Sequence, residues 1–240
     1  MAAPADAAPA GRSTAIVIPA YQAAGTLGSV VAGARRALPG ARIYVVDDGS
    51  SDGTGRVLGP LEPRLRLLVH ARRRGKGAAL ATGMARALAE GAGTLVTLDA
   101  DGQHPPEWIP ALLEPLIAGR ADLVLGARRR TGEMPLGRRF NNWLSAALAT
   151  RIGGQPVPDA QTGFRAFTRA VAAAVCPAET CYDYEAAFLL EALERGFRVR
   201  SVIVPTIYDG APSHFRPWRD SWLLARVFGR RARRILLGPR

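Results

Sequence analysis

Hydrophobic residues form two alternating patterns along the first half of the chain. Runs rich in Val, Ile and Leu predict strands at residues 14–20, 42–48, 64–70, 94–100 and 122–127. Three of these runs are almost continuously apolar, which is typical of parallel strands buried on both faces. Between these runs, apolar residues recur at helical spacing over residues 26–38, 53–61, 76–90 and 106–118. Repeated strand–helix units predict an α/β fold with a single doubly wound, mostly parallel sheet.

The regular alternation ends after residue 128. A helical pattern at 137–151 is followed by a loop rich in Gly and Pro, and a second helical pattern at 183–195 leads into a strand-like run at 198–208. From about residue 218 the chain mixes arginine with large apolar residues. No internal repeat or linker separates these parts, so the sequence predicts one domain.

The ends of the chain differ in composition from this domain, which we place at 14–210. Residues 1–13 are rich in Ala and Pro and are predicted to be a disordered tail, and residues 211–240 form a basic C-terminal region. The tail has neither the basic start nor the continuous apolar stretch of a signal peptide. No apolar run reaches the roughly 18 residues needed to span a bilayer. We therefore expect a cytoplasmic protein.

Charge and cysteine content narrow the expected partners. The formal net charge is +12, and Lys76 is the only lysine. A general preference for arginine would explain this charge, and so would a partner with phosphate groups, such as a nucleotide, a nucleic acid or an anionic lipid. Cys176 and Cys181 are too few and wrongly spaced for a zinc site or a disulfide framework, so we interpret them as free thiols in a reducing compartment.

Polar side chains follow four of the predicted strands at their carboxyl ends. In open parallel sheets, ligands bind in the crevice outside those ends. The residues at this edge are Pro19, Ala20, Tyr21, Asp47, Asp48, Asp99, Asp101 and Arg128. Each group alone is also typical of an ordinary turn or helix cap, but four groups on one edge predict a site.

Asp99 and Asp101 are two residues apart, so in extended chain they point to the same side. Two neighbouring carboxylates repel unless one is protonated or a cation lies between them. Mg²⁺ and Mn²⁺ bind one or two protein carboxylates and complete their shell with water and phosphates, which predicts a metal-bridged diphosphate. Gln103 or His104 could add a ligand, although a hydrogen-bonding or packing role is expected for His104. The alternative for the two acids is a solvated loop.

The turn around Lys76 is a second candidate for anion binding. Its Gly-Lys-Gly sequence opens a predicted helix, where backbone N–H groups and the helix dipole favour negative charge. It is not a P-loop, because no Ser or Thr follows the lysine. The alternative is that these glycines only allow the helix to pack closely on the sheet.

Five segments, IVIPAYQAAGTL, VVDDGSSDGT, RGKGAALATGMARA, LDADGQHPPEWIP and DAQTGFRAF, resemble family 2 glycosyltransferases in sequence and in order. The resemblance is greatest to the dolichyl- or polyprenyl-phosphate mannose (or glucose) synthase branch and covers roughly residues 14–208. It implies a GT-A fold and inverting transfer of a hexose from a nucleoside-diphosphate sugar, GDP-mannose or a UDP-sugar, to a polyprenyl phosphate. It also implies Mg²⁺ or Mn²⁺ as cofactor.

Carried over residue by residue, the resemblance implies a role for each matching position. The nucleotide-binding set is Pro19, Ala20, Tyr21, Asp47, Asp48, Lys76, Asp99 and Ala100. The metal set is Asp99, Asp101 and Gln103. The residues facing the acceptor or the diphosphate are Arg138, Arg216 and Glu185, and those predicted to be catalytic are Asp101, Arg128, Arg139 and Asp159.

The acceptor decides whether a general base is needed. A lipid monophosphate has a second pKa of about 6 and arrives largely ionised, so it needs cations rather than a base. An alcohol acceptor, in a glycan, a protein or a diacylglycerol, would need a base, for which Asp159 is the candidate; alternatively, Asp159 only caps a turn. A nucleic-acid-binding protein is the remote alternative, since arginines and aromatic residues are not interleaved as stacking platforms require.

The C-terminal region 211–240 is predicted to form an acceptor loop followed by a basic amphipathic helix. It combines apolar residues such as Trp222 and Phe228 with a run of arginines, which is typical of a helix that lies in an anionic membrane interface. The alternative is a surface helix that packs its apolar side on the domain. We therefore expect peripheral association with the inner face of the cytoplasmic membrane.

Overall fold

The computed structural model describes residues 14–59, 63–128, 145–151, 153–181, 183–205 and 226–229. Its strands are β1 (Thr14–Ala20), β2 (Arg42–Asp47), β3 (Leu65–Val69), β4 (Thr94–Thr97), β5 (Leu123–Arg128), β6 (Arg165–Thr168) and β7 (Val199–Val204). Its helices are α1 (Leu27–Ala37), α2 (Lys76–Ala89), α3 (Ile109–Ile117), α4 (Arg169–Ala174) and α5 (Tyr184–Glu194). Residues 145–151 and 226–229 are also helical.

Most predicted elements are present, one is wrong, and two further elements of the structure were not predicted. The α-helix predicted at 53–61 is wrong, because only a short 3-10 helix forms at Thr54–Leu58. It lies between Gly53 and Gly59, whose φ angles of 85° and 62° are outside the helical range. Strand β6 and helix α4 were not predicted. The structure describes residues 145–151 of the helix predicted at 137–151, and the rest of that helix lies outside the described residues.

All seven strands form one sheet in the order β3-β2-β1-β4-β6-β5-β7. Every pair is parallel except those of β6, which runs antiparallel to both β4 and β5. Arg165 at the start of β6 lies between Thr97 of β4 and Leu125 of β5. The loop that enters β6 is therefore at the edge where the other strands end.

Alternate residues of the strands face two separate cores, as a doubly wound sheet requires. In β1, Ile16 and Ile18 pack with Leu27 of α1 on one side, whereas Val17 packs with Met84 of α2 on the other. Helices α1 and α3 cover the first face, and α2, α4 and α5 cover the second. The predicted fold class is confirmed.

Little of the C-terminal region belongs to the described residues. Of residues 226–229, Val227 and Phe228 are buried in the core on the α2 and α5 side of the sheet. This turn thus packs on the domain, as the alternative for the tail predicted. The rest of 211–240, like the tail 1–13, lies outside the described residues. No helix within the described part of the chain is long and apolar enough to cross a membrane.

Candidate active site at the carboxyl edge of the sheet

The end of β2 is fixed to the loop that follows β3. Asp48 is 2% exposed, and its Oδ1 accepts a hydrogen bond from the backbone N of Arg74 at 2.8 Å and lies 2.7 Å from His70 Nδ1. Its Oδ2 accepts from the backbone N of Gly75 at 2.7 Å. Asp48 therefore holds this loop in place. Its predicted contact with base or ribose stays a prediction.

The turn after Asp48 brings the loop that follows β3 still closer to the end of β2. Asp47 Oδ1 accepts from the backbone N of Ser50 at 2.9 Å, which closes the turn. Gly49 has a φ of 74°, and a Cβ added there would lie 2.7 Å from both Arg72 C and Arg73 N. Only glycine fits this position, so the DDG sequence sets the distance between the ends of β2 and β3.

At the end of β1, Pro19 and Ala20 are buried and Tyr21 is half-buried. The guanidinium carbon of Arg73 lies 4.2 Å from the centre of the Tyr21 ring, in cation–π contact. Arg73 thus crosses above the end of β2, and the two side chains form a wall at this side of the crevice.

The residue after Tyr21 holds a strained backbone. Gln22 has a φ of 52°, a value that residues other than glycine rarely adopt. Its backbone N donates to Ser50 Oγ at 3.0 Å, and its side-chain Oε1 accepts from the backbone N of Ser51 at 2.8 Å and of Asp52 at 3.2 Å. These bonds join the loops after β1 and β2 and so fix the position of Tyr21.

Replacing Gln22 with Ala should therefore lower the free energy of unfolding by about 2 kcal/mol, because the hydrogen bonds of the side-chain amide are lost and the backbone strain remains. Gln22→Gly loses the same bonds but relieves the strain, so we expect it to be the more stable variant by about 1 kcal/mol. Urea denaturation of both variants measures the difference. Equal stability of the two would show that φ at residue 22 carries no strain.

Lys76 lies between a half-buried acid, Asp99, which follows β4, and a buried acid, Glu185. Its Nζ is 2.8 Å from Asp99 Oδ1 and 2.6 Å from Glu185 Oε1, at the start of α5. Burial by itself would lower the pKa of Lys76, but the two carboxylates outweigh it and raise that pKa. Burial would likewise raise the pKa of Asp99, and the charge of Lys76 outweighs it and lowers that pKa. Both groups are therefore ionised at neutral pH.

The glycines beside Lys76 make close contacts with the segment before α5. A Cβ on Gly77 would lie 2.7 Å from Tyr184 Cδ2, and the backbone N of Gly77 donates to Thr180 O at 2.9 Å. The backbone N of Gly75 is bonded to Asp48. These two N–H groups already have partners, which favours the packing interpretation of the Gly-Lys-Gly turn over anion binding by its backbone.

Asp101 lies on the open side of the crevice. Its Oδ1 accepts from the backbone N of Gln103 at 2.9 Å. Desolvation is the larger cause that raises the pKa of Asp101, and the negative charge of Asp99 raises this pKa further. A divalent cation between the two carboxylates would relieve this repulsion, so the acids fit a hard metal ion. Among the described residues no group of three or more acid, His or Cys side chains forms a complete cage.

His104 is buried behind these acids. Its ring packs against Phe164 with 5.5 Å between the ring centres, and Nδ1 has no hydrogen-bond partner within the described residues. Burial lowers the pKa of His104 to about 4, so the ring is neutral at physiological pH. These contacts agree with packing, one of the two roles expected for His104 from the sequence.

Gly163, in the loop before β6, is pressed against Asp99. A Cβ added to Gly163 would lie 2.6 Å from Asp99 Oδ1 and nearer still to Oδ2. Thr97 Oγ1 donates to the carbonyl of Gly163 at 2.7 Å, which holds the loop there. This glycine was not among the predicted site residues, although it belongs to the DAQTGFRAF motif.

Replacing Gly163 with Ala should displace the Asp99 carboxylate, because the new methyl group would occupy its place. We expect metal-dependent nucleotide binding to weaken about tenfold or more. Titration with Mn²⁺ and UDP or GDP measures this. Gly25→Ala is the matched control, since a Cβ there has no atom within 4 Å. Equal nucleotide binding by the two variants would contradict the expectation.

Arg128 at the end of β5 forms a two-point ion pair with Asp159. Nε and Oδ2 are 2.7 Å apart, and Nη2 and Oδ1 are 3.3 Å apart. Asp159 is 1% exposed; burial alone would raise its pKa, but Arg128 outweighs burial and lowers it. Its Oδ1 also accepts from the backbone N of Gln161 at 3.1 Å. Asp159 thus orients Arg128 and caps a turn, as the alternative interpretation predicted.

Comparison with known proteins shows which family the chain belongs to. Residues 15–175 match the family described as Glycosyl transferase family 2, which is more than half of the 240 residues. The chain belongs to glycosyl transferase family 2. The family resemblance predicted from the five motifs is confirmed.

Relatives within this glycosyltransferase family include enzymes named for polyprenyl-phosphate substrates. Polyprenol monophosphomannose synthase of Mycolicibacterium smegmatis is 34% identical over 166 residues, covering 66% of this chain and 62% of that protein. Undecaprenyl-phosphate mannosyltransferase of Micrococcus luteus is 34% identical over 158 residues, covering 63% of this chain and 64% of that protein. The chain therefore spans less than two thirds of the length of either mannosyltransferase.

The glycosyltransferase also resembles solved structures. Glucosyl-3-phosphoglycerate synthase of Mycobacterium tuberculosis superposes with a TM-score of 0.72 at 24% identity, covering 92% of this chain and 81% of that one. A structure of that synthase with Mn²⁺, UDP and glucosyl-3-phosphoglycerate gives a TM-score of 0.72 at 23% identity, covering 92% and 80%. The GT-A fold implied by the motifs is confirmed.

Most predicted site residues of the glycosyltransferase lie along this one edge of the sheet. The described ones are Pro19, Ala20, Tyr21, Asp47, Asp48, Lys76, Asp99, Ala100, Asp101, Gln103, Arg128, Asp159 and Glu185. Arg138, Arg139 and Arg216 lie outside the described residues. His70, Arg73 and Gly163 were missed, because their roles depend on side chains or backbone far away in sequence.

Proposed function

We propose that this glycosyltransferase moves a hexose, with inversion, from a nucleoside-diphosphate sugar to a polyprenyl phosphate. The observation that carries the proposal is the ion pair of Arg128 and Asp159. This ion pair fixes the guanidinium of Arg128 at the edge of the crevice. It also leaves Asp159, the candidate base, bound to that guanidinium. Such a site suits an acceptor that is already ionised better than an alcohol that must lose a proton. The names of the relatives support the same acceptor class.

The acids at the end of β4 are proposed to serve the donor diphosphate. Asp99, Asp101 and Gln103 would hold Mg²⁺ or Mn²⁺, and such an ion supplies neutralisation of the charge on the departing diphosphate. Mn²⁺ or Mg²⁺ with UDP in structures of the related synthase supports this cofactor. Lys76 would keep the Asp99 carboxylate ionised and in place.

The other end of the crevice is proposed to bind the nucleoside. Tyr21 and Arg73 offer a stacked surface, and the turn of Asp47 and Asp48 forms the floor beside it. In the sheet, β1 lies between β2 and β4, so a nucleotide that begins at Tyr21 would reach Asp99 with its phosphates. Arg138, Arg139 and Arg216 remain predicted contacts for the acceptor phosphate or the diphosphate.

A substrate panel tests the proposed function. UDP-sugars and GDP-sugars are each incubated with Mn²⁺ or Mg²⁺, with a short polyprenyl phosphate, a diacylglycerol, a glycan or 3-phosphoglycerate as acceptor. We expect transfer to the polyprenyl phosphate and its loss with a chelator. Transfer to an alcohol acceptor alone, abolished by Asp159→Asn, would assign the base role to Asp159 and overturn the proposed acceptor.

We further propose that region 211–240 brings the enzyme to an anionic membrane surface on the cytoplasmic side. Deleting the whole region would also remove Val227 and Phe228 from the core, so charge reversal is the cleaner test. Changing Arg230, Arg231, Arg233 and Arg234 to Glu should abolish sedimentation with anionic vesicles and leave nucleotide affinity unchanged. Unaltered sedimentation would contradict membrane association.

Salt-sensitive binding to DNA by a chain that binds no nucleotide sugar would favour the remote nucleic-acid alternative.

A further inference from the structure

Arg165 is a buried cation at the start of β6 that the proposed mechanism does not use. Its side chain is 3% exposed, and its guanidinium donates to three backbone carbonyls. Nε donates to Thr162 O at 2.7 Å, Nη2 to Ala160 O at 3.0 Å, and Nη1 to Glu185 O at 2.7 Å. It forms no ion pair within the described residues.

The carbonyls bound by Arg165 belong to two segments that are far apart in sequence. Ala160 and Thr162 lie in the loop that carries Asp159 at one end and Gly163 at the other. Glu185 lies in the first turn of α5, where its carboxylate meets Lys76. The rigid fork of a guanidinium holds its donors in fixed directions toward both segments, whereas an ammonium group is a compact donor without such fixed geometry.

Each tethered segment fixes one side of Asp99. Gly163 faces the Asp99 carboxylate directly, and Glu185 faces it through Lys76. A displacement of the loop would also move Asp159 and so the guanidinium of Arg128. The surroundings of both the acidic and the basic part of the site thus depend on one side chain.

Burial of Arg165 without a paired carboxylate is costly. Burial lowers its pKa, and the negative charges of Glu185 and Asp159 act in the opposite direction. Moving an ion out of water costs several kcal/mol unless geometry and hydrogen bonds compensate. Here the compensation comes from the carbonyls of the two site-forming segments, so the cation is stabilised by the arrangement that it holds together.

We infer that Arg165 is a positioning residue that sets the distance between the loop 159–163 and the start of α5, and through them the metal-binding geometry of Asp99. The inference rests on the proposed function, because it concerns the same metal–diphosphate site. Arg165 is not expected to touch substrate or metal.

A matched pair of substitutions tests this inference. Arg165→Lys keeps the charge but loses the fork. Arg169→Lys makes the same change at the opposite end of β6, where Arg169 donates to the carbonyls of Leu88 and Ala92 at 3.1 Å and 3.0 Å. For each variant, the thermal midpoint is measured together with the Mn²⁺ concentration that gives half-maximal binding of UDP or GDP.

We expect both variants to unfold at lower temperature, and only Arg165→Lys to change the metal requirement. Its half-maximal Mn²⁺ concentration should rise about tenfold or more. That of Arg169→Lys should stay within about twofold of the wild type. Equal Mn²⁺ requirements in the two variants would overturn the inference, because a merely structural role would lower both midpoints and leave the metal requirement alone.

Two other outcomes are also decisive. If Arg165→Lys lacks a cooperative unfolding transition, Arg165→Gln, which keeps a planar donor, is measured in the same way. Absence of a folded state in both Arg165 variants would assign this residue to folding alone and overturn the inference. A wild-type chain that binds neither UDP nor GDP with Mn²⁺ would instead overturn the proposed function, and the inference with it.

Discussion

Replacing Asp101 with Ala should abolish Mn²⁺-dependent binding of the nucleoside diphosphate and lower the transfer rate about a thousandfold, the scale of a lost electrostatic stabilisation of the leaving group. The reason is that Asp99 already has Lys76 beside it, whereas Asp101 is the open carboxylate of the pair. Isothermal titration with UDP or GDP, at fixed Mn²⁺ and in chelator, separates metal-dependent from metal-independent binding.

The control for Asp101→Ala is Asp122→Ala. Asp122 lies at the opposite edge of the sheet, where it is paired with Arg198, so its removal should leave nucleotide binding unchanged. If Asp101→Ala bound the nucleotide with the same Mn²⁺ dependence as the wild type, the metal would have to lie elsewhere. The proposed role of the D-x-D sequence would then be wrong.

Replacing Asp159 with Asn should lower the free energy of unfolding by about 3 kcal/mol, because it leaves the Arg128 guanidinium without its buried counter-charge. The pKa of Asp159 in the folded state is below its ordinary value, so its contribution is present above about pH 4 and lost as the pH falls further. The stability difference between wild type and variant should accordingly shrink below about pH 4. Urea denaturation across pH 3–7 measures it.

Asp122→Asn is also the matched control for Asp159→Asn. Asp122 makes a similar two-point contact with Arg198, with distances of 3.0 Å and 3.0 Å, but this pair is open to solvent. Its loss should cost at most about 1 kcal/mol. Equal losses in the two variants would show that burial does not strengthen the pair of Asp159 and Arg128.

The sequence predicted the site as far as it depends on strand ends. The apolar run before Asp99 stops where β4 gives way to the crevice, and the acids after β2 and the arginine after β5 lie at the same edge. These positions follow from local chain direction and from the rule that parallel strands end together.

The partners of those residues could not be predicted, because they come from elements distant in sequence. Strand β6 is only four residues long and has no apolar run of its own, so neither its antiparallel direction nor the approach of Gly163 to Asp99 could be anticipated. The ion pairs of Lys76 with Glu185 and of Arg128 with Asp159 likewise depend on tertiary packing. The α-helix predicted at 53–61 was wrong because the prediction gave more weight to the helical spacing of apolar residues than to Gly53 and Gly59.

Lys76 has a practical consequence for handling the protein. Because its ammonium group offsets part of the negative charge of Asp99 and Glu185, we expect the chain to fold without a metal ion. Purification in EDTA should therefore yield folded protein, to which Mn²⁺ or Mg²⁺ can be added back to test the proposed metal-dependent nucleotide binding.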